Sequence, residues 1–575
     1  MIDTPTPATP QAAAQPRVVS PERARPAVAE PLLVAALIVV LLVLASLPAL
    51  FGYLSQPEGR RFQGIVYGVA DTAQYFSWLR DHRTDWLVSN RMTPEPNAPA
   101  LFNLLWLLIG RLQAATGWGT LALFHGVRVL AGAALLALLF LTCRRFTASR
   151  GERLLAFAVV ALGSGLGWIW VVAKYALRLD GVPFPFDVYV AEPNTSFILA
   201  AFPHFAIATT LILSIFLCYL AALRERRIWL VAAAALLALT LTLQHAYDLL
   251  IITLVPGGAL ALMLLRDRRV PWFAGLAALA IGLVALPPPL YFTWLTSRDP
   301  LWREVLDQFS NAGVFTPSPP HLLILMGVPL ILALASAVDT LARAVRERRL
   351  AALLAGASDA DLFLVSWLVV GFLLLYVPTD FQIHMLTAWQ VPVGLIAVRW
   401  LHRRVMPAVA AARPRLARAL PALLLAAVLP TSLYLISWRM LDLARHDAPY
   451  SIGRDEEAGL RWLGTTTTRD DVVLSSLALG QFVPVYADAR TFLGHWAQTA
   501  HYYDKERAVA AFFDPRTSDA ERLALVDRYG ITYVMFSPEE RALGPYDPAR
   551  SAMFEPAFSD GATVIYRVRP HGGSQ

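Results

Sequence analysis

The feature that most constrains this chain is the recurrence of apolar windows of about 20 residues, each just long enough to cross the roughly 30 Å of a bilayer's hydrocarbon as a helix. They fall near residues 32 to 53, 120 to 142, 152 to 175, 200 to 222, 228 to 244, 248 to 265, 272 to 295, 321 to 341, 362 to 378, 385 to 401 and 420 to 438. About eleven such windows predict a polytopic α-helical membrane protein. Only 16% of residues are charged and 57% are hydrophobic, far from the roughly one-quarter charged composition of a soluble domain.

Arginine placement gives an orientation. Arg17, Arg23 and Arg25 precede the first window, and "CRRF", "RERR", "RDRR", a second "RERR" and "HRRV" follow alternate windows. All fall on one side, which the positive-inside rule makes cytoplasmic. Counting Pro99 to Ala115 as a crossing would invert everything after it, so that run is expected to be a helix lying at the outer interface. The chain then divides into a disordered cytoplasmic tail (1–30), a transmembrane domain (31–438) whose first outer loop is 54–119, and an extracytoplasmic domain (439–575). The expected location is a bacterial inner membrane.

The last segment changes character. "DVVLSS", "RTFLGHW", "ITYVMF" and "ATVIYRV" read as short strands, while "SDAERLALVDRYG" reads as a helix with an acidic start and a glycine stop. A small α/β domain is predicted. "RAVRERRLAALLAGASDADL" reads as a cytoplasmic surface helix and linker. The two cysteines, Cys143 and Cys218, do not make a disulfide framework. The net charge of +7 is dispersed in short clusters, which argues against a nucleic-acid partner.

The first outer loop carries "YGVADTAQYFSWLRDHRTDW". As a helix over 70–86, it sets Asp71, Tyr75, Trp78, His82 and Asp85 on one face. Rings stack on pyranose faces and carboxylates accept hydroxyl hydrogen bonds, so such a face suits a sugar; it equally suits a helix resting on lipid headgroups. Polar groups also gather near the outer ends of other windows: Asp187, Glu192 and Asn194 in "FPFDVYVAEPNTSF", His204 in "FPHF", His245, Tyr247 and Asp248 in "QHAYD", and Asp380 and His384 in "VPTDFQIHM". Ionisable groups at membrane depth are costly and usually line a cavity or meet a partner. Arg128, inside the second window, needs an acid such as Asp71 or Asp248, or a phosphate.

The order of one window, then "VADTAQYFSWLRD", then "EPNAPALFNLLWLLIGRL", then "HGVRVLAGAALLALLFLTCRRF", resembles the C-type (GT-C) integral membrane glycosyltransferases, bacterial members included. "WLGTTTTRDDVVLSS", "FLGHWAQT" and "YGITYVMFS" are similar to their C-terminal domain. The resemblance implies inverting transfer of a hexosyl or pentosyl group from a polyprenyl-phosphate sugar to an envelope glycan, lipid or protein. Asp71 maps to the general base and Glu192 or Asp187 to a second acid. Arg91, Arg128, His204, His245 and His384 are the candidates to receive the leaving phosphate. Tyr75, Trp78, His82 and Asp248 would face substrate, and His495 and Trp496 would close over it.

No cofactor is expected. No His or Cys spacing marks a metal site, and an acid-only Mg2+ or Mn2+ site stays open. Where several subfamilies carry paired acids, "ADTA" has one. A transporter or lipid flippase, or a membrane sensor with an outer ligand-binding domain, are the competing readings.

Overall fold

The computed structural model describes residues 29–182, 185–313, 316–348 and 352–570. Most of the expected N-terminal tail lies outside them. Among the described residues, seven helices are long and apolar enough to cross a membrane, and the pair Trp272–Ala285 and Pro287–Arg298, bent by 44°, makes an eighth if counted as one span. The remaining predicted windows form the shorter helices Ile228–Thr242, Asp359–Leu374 and Gln390–Trp400. At the centre, Pro203–Glu225 packs against Thr120–Phe146 and Ile228–Thr242. Its Ala206, Ala208 and Ala222 and its neighbour's Ala234 and Ala238 are buried, because small side chains let membrane helices approach closely.

Several windows expected to be continuous are broken. The window 152 to 175 stops at Leu162 and resumes at Gly167, with Gly163 extended between. Facing this break, Gly327 interrupts Pro319–Arg346 with φ +61°, a conformation that only glycine adopts without strain. The two breaks touch: a side chain at Gly165 would lie 2.2 Å from Ile324 O and 2.5 Å from Leu325 O. Phe202 separates Thr195–Ala201 from Pro203–Glu225, where proline opens the second helix. In the "RAVRERRL" segment the first arginines finish the long helix at Arg346; residues 349–351 of the expected surface helix lie outside the described residues, and Ala352–Ala355 is helical.

The C-terminal segment forms the predicted α/β unit. β1 (Arg60–Phe62) pairs antiparallel with β2 (Ser451–Gly453). A five-stranded sheet follows, built from β3 (Val472–Leu474), β4 (Arg490–Thr491), β5 (Tyr533–Phe536), β6 (Phe554–Asp560) and β7 (Thr563–Val568) in the order β4-β3-β5-β7-β6. Helix Asp519–Tyr529 has Ser518 and Glu521 in a capping box and Gly530 as its left-handed stop.

The first connection and the C-terminal domain share one hydrophobic core, in which Ile65, Phe76 and Leu79 pack with Leu460, Leu463 and Phe482. The two segments therefore lie on the same side of the helical bundle.

Candidate functional site

Helix Val69–Asp81 stands between the bundle and the C-terminal domain. It ends earlier than the sequence pattern suggested. His82 caps it and turns inward to full burial with Nδ1 3.2 Å from Asp85 O, while Asp85 leaves to pair with Arg469 at 2.6 Å. Of the predicted face, Asp71, Tyr75 and Trp78 remain together. Helix Leu104–Thr116, capped by Asn103, is the short helix expected from Pro99 to Ala115. It packs on the first helix so closely that a Cβ at Gly110 would lie 2.7 Å from Leu79 O. Its Trp106 stacks on Tyr75, with ring centroids 4.8 Å apart.

These two helices wall a cavity of about 1010 Å³. Asp71, Tyr75, Trp78, Glu192, His204, His245, His384 and Trp496 line it, so two of the candidate acids and three of the candidate histidines share one space. Leu249, Leu250, Pro289, Phe292 and Val305 add apolar lining. No lysine or arginine lines it among the described residues.

The polar side chains in and around the cavity brace one another. Glu192 hydrogen-bonds His384 Nδ1, and the Tyr247 ring stacks on His384 at 4.9 Å. His245 Nδ1 lies 3.2 Å from Asp248 Oδ2, and the His204 and His245 rings are 5.4 Å apart. Asp71 Oδ1 is 3.0 Å from His495 Nε2, and the Asp71 side chain is 35% exposed. Burial works against a charged His384, but the Glu192 hydrogen bond and the charges of Glu192, Asp248 and Asp71 outweigh it and hold the ring above its usual value. Burial and the nearby Asp71 and Glu192 push the Tyr75 phenol far up, so it keeps its proton as a donor.

Other predicted residues sit elsewhere. Arg91 is buried against Asp81 at 2.8 Å and hydrogen-bonds Asp488 O, which docks the C-terminal domain. Arg128 meets no acid among the described residues; it donates to Leu199 O at 2.7 Å and Ser46 Oγ at 3.0 Å. Asp187 is enclosed at the helix breaks, accepting from Gly167 N at 2.8 Å, and burial raises its carboxyl to about 7. Asn194, in the chance-prone "NTS" triplet, is buried as the cap of Thr195–Ala201. Among the described residues, no group of three or more His, Cys, Asp or Glu is arranged to hold a metal ion.

A segment with no role expected from the sequence also borders the cavity. Helix Pro300–Asp307, capped by Asp299, and the turn Gln308–Ala312 bring Trp302, Phe309 and Asn311 to it. The Asp-Pro pair before "LWREVL" was the available signal, an N-cap followed by proline at the first helical position. Gln308 Nε2 donates to Ala497 O at 3.0 Å and Thr499 O at 2.8 Å, and Asn311 Nδ2 donates to Trp496 O at 2.9 Å.

No family model and no curated protein matches this sequence. Solved structures do. The oligosaccharyltransferase of Archaeoglobus fulgidus, solved with a tethered acceptor peptide, superposes with a TM-score of 0.50 at 12% identity, covering 87% of this chain and 69% of that one. Its apo form superposes equally well, with a TM-score of 0.50 over 88% of this chain and 69% of that one at 12% identity. ArnT of Cupriavidus metallidurans, solved with undecaprenyl phosphate, matches with a TM-score of 0.45 at 14% identity, over 95% of this chain and all of that one. This chain is a polytopic membrane protein with the fold of the C-type glycosyltransferases.

Proposed function

We propose that this protein transfers a sugar from a polyprenyl-phosphate donor to a cell-envelope acceptor at the outer face of a bacterial inner membrane, with inversion at the anomeric carbon. The observation that carries this reading is one cavity whose lining combines the carboxylates of Asp71 and Glu192 with the apolar side chains of Leu249, Leu250 and Phe292. A lipid-linked sugar has the same two-part chemistry, and the fold shared with an oligosaccharyltransferase favours it.

In this mechanism Asp71 takes the proton of the acceptor hydroxyl as its oxygen bonds to the anomeric carbon. The bond from that carbon to the phosphate oxygen breaks, and its electron pair leaves with the polyprenyl phosphate. With no lysine or arginine among the described lining residues, the departing charge meets His204, His245 and His384 and the Tyr75 hydroxyl. Glu192 keeps His384 charged and oriented. Aromatic faces of Trp78, Trp106 and Trp496 offer stacking surfaces for the sugar.

The alternative, a transporter or flippase, would use helix breaks to line its path. Here the facing breaks are filled by Asp187, Ser164 and Thr431, and none of these lines the cavity.

The test is transfer of label from a panel of polyprenyl-phosphate sugars to envelope extract by purified protein in nanodiscs, wild type against Asp71→Asn. Transfer by wild type, with a loss of roughly 100-fold or more in the variant, supports the reading. Equal transfer by both removes Asp71 as the base, and no transfer from any donor refutes the donor class.

A further inference from the structure

The ring of His495 enters from the C-terminal domain and reaches Asp71 without lining the cavity. Its two nitrogens have different partners. Nδ1 receives two backbone N–H groups, from Ala497 at 2.9 Å and Gln498 at 3.2 Å. A nitrogen that accepts cannot also carry the hydrogen, so the network places the ring hydrogen on Nε2, 3.0 Å from Asp71 Oδ1. The ring therefore donates to the carboxylate, and the loop's own backbone selects the tautomer that does so.

The loop is held on all sides. Thr499 Oγ1 accepts from Gly494 N and His495 N, both at 3.0 Å, and donates to Met92 O. Asn90 Nδ2 donates to Gln498 O at 2.8 Å, and Gln308 grips the Ala497 and Thr499 carbonyls. His495 itself is buried. A buried imidazole held at both nitrogens fixes the carboxylate it binds.

We propose that His495 is the positioning residue for Asp71: its Nε2–H pins Oδ1 and thereby aims Oδ2 at the acceptor hydroxyl. The inference rests on the reading of Asp71 as the base. It makes the C-terminal domain part of the reaction centre, with a role different from closing over the sugar. Because Nδ1 is occupied by two donors, the ring orients the base and does not relay its proton.

Two substitutions separate positioning from simple support. In His495→Gln the side-chain amide nitrogen reaches where Nε2 stood and keeps the donation to Asp71. In His495→Asn the amide oxygen stands where Nδ1 stood and keeps the loop's N–H groups satisfied, but nothing reaches Asp71. With 15N-imidazole-labelled protein in nanodiscs, the signal lost in His495→Gln identifies His495. That signal is expected to report the Nε2–H tautomer at pH 7 and to shift in Asp71→Asn. An Nδ1–H tautomer, or a signal indifferent to Asp71→Asn, overturns the proposal.

In the transfer assay, His495→Asn is expected to lose roughly 10- to 100-fold in kcat with donor KM and thermal midpoint unchanged, while His495→Gln stays within a few-fold of wild type. The reverse order assigns His495 a structural role and overturns the inference. An inactive Asp71→Asn beside a fully active His495→Asn sinks this inference alone. An active Asp71→Asn, or a wild type that transfers from no donor, sinks the underlying functional reading and this inference with it.

Discussion

Asp187 gives the sharpest quantitative expectation. Its carboxyl is fully buried among the broken helices, and burial raises it from 3.8 to about 7 against the lowering effect of the Gly167 N–H and the Thr431 hydroxyl. A carboxyl raised in the folded state binds its proton more tightly there than in the unfolded chain. Its stabilising contribution is therefore full at low pH and is lost as pH rises towards about 7. Between pH 5.5 and 8.5 the unfolded group is ionised throughout while the folded one passes from protonated to charged. At about 1.4 kcal/mol per pH unit, over the roughly 1.5 units from 5.5 to the folded value, the protein loses about 2 kcal/mol from this residue. Asp187→Asn keeps an acceptor for Gly167 N and has nothing to ionise. Denaturant unfolding of both proteins in the same micelle at pH 5.5 and 8.5 measures the difference of slopes. The variant is expected to be flatter than wild type by about 2 kcal/mol across that range. Equal slopes would mean that Asp187 is solvated in the folded protein, and the account of the helix breaks would be wrong.

His384 is held above its usual value by Glu192 and loses its charge as pH rises through that raised value. Affinity for polyprenyl phosphate is therefore expected to fall on the alkaline side, and Glu192→Gln should move the fall to lower pH; a profile unmoved by that change refutes the pairing. Arg91→Ala leaves Asp81 buried and unpaired, which should cost about 3–5 kcal/mol and expose the C-terminal domain to limited proteolysis. A changed donor KM at unchanged stability would instead return Arg91 to the phosphate. Gly110→Ala drives a methyl group into Leu79 O and should lower stability by about 1–3 kcal/mol, read from the unfolding midpoint; an unchanged midpoint contradicts that close packing.

What was legible in the sequence was what local chemistry decides. The apolar windows became helices because their length and composition leave little else, and "SDAERLALVDRYG" became Asp519–Tyr529 because its cap, acidic start and glycine stop all agree. Asp71, Tyr75 and Trp78 share a face because three- and four-residue spacing is a property of the helix itself. His82 and Asp85 fell off that face when the helix ended at Asp81, where Arg91 claims the carboxylate. That competition is tertiary and leaves no periodic trace. Arg91 and Arg128 illustrate the same limit, since a long cationic side chain is read from sequence as a charge, whereas its partner depends on which backbone carbonyl or acid folds beside it. The break inside the window 152 to 175 was not expected, because "GSGLG" sits within an otherwise apolar run and the facing Gly327 that explains the opening lies far along the chain. The orientation of His495 depends on which atoms meet its two nitrogens, and composition carries no information about that.

The pairing of β1 with β2 joins residues 60–62 to residues 451–453, with nearly the whole helical bundle synthesised in between. Loop-closure entropy is met only when the far end of the chain arrives. A nascent polypeptide can thus complete its insertion and still lack a braced Asp71. The brace on Asp71 becomes a late event in biogenesis, and on the proposed function chains cut short before residue 495 would sit in the bilayer without transfer activity.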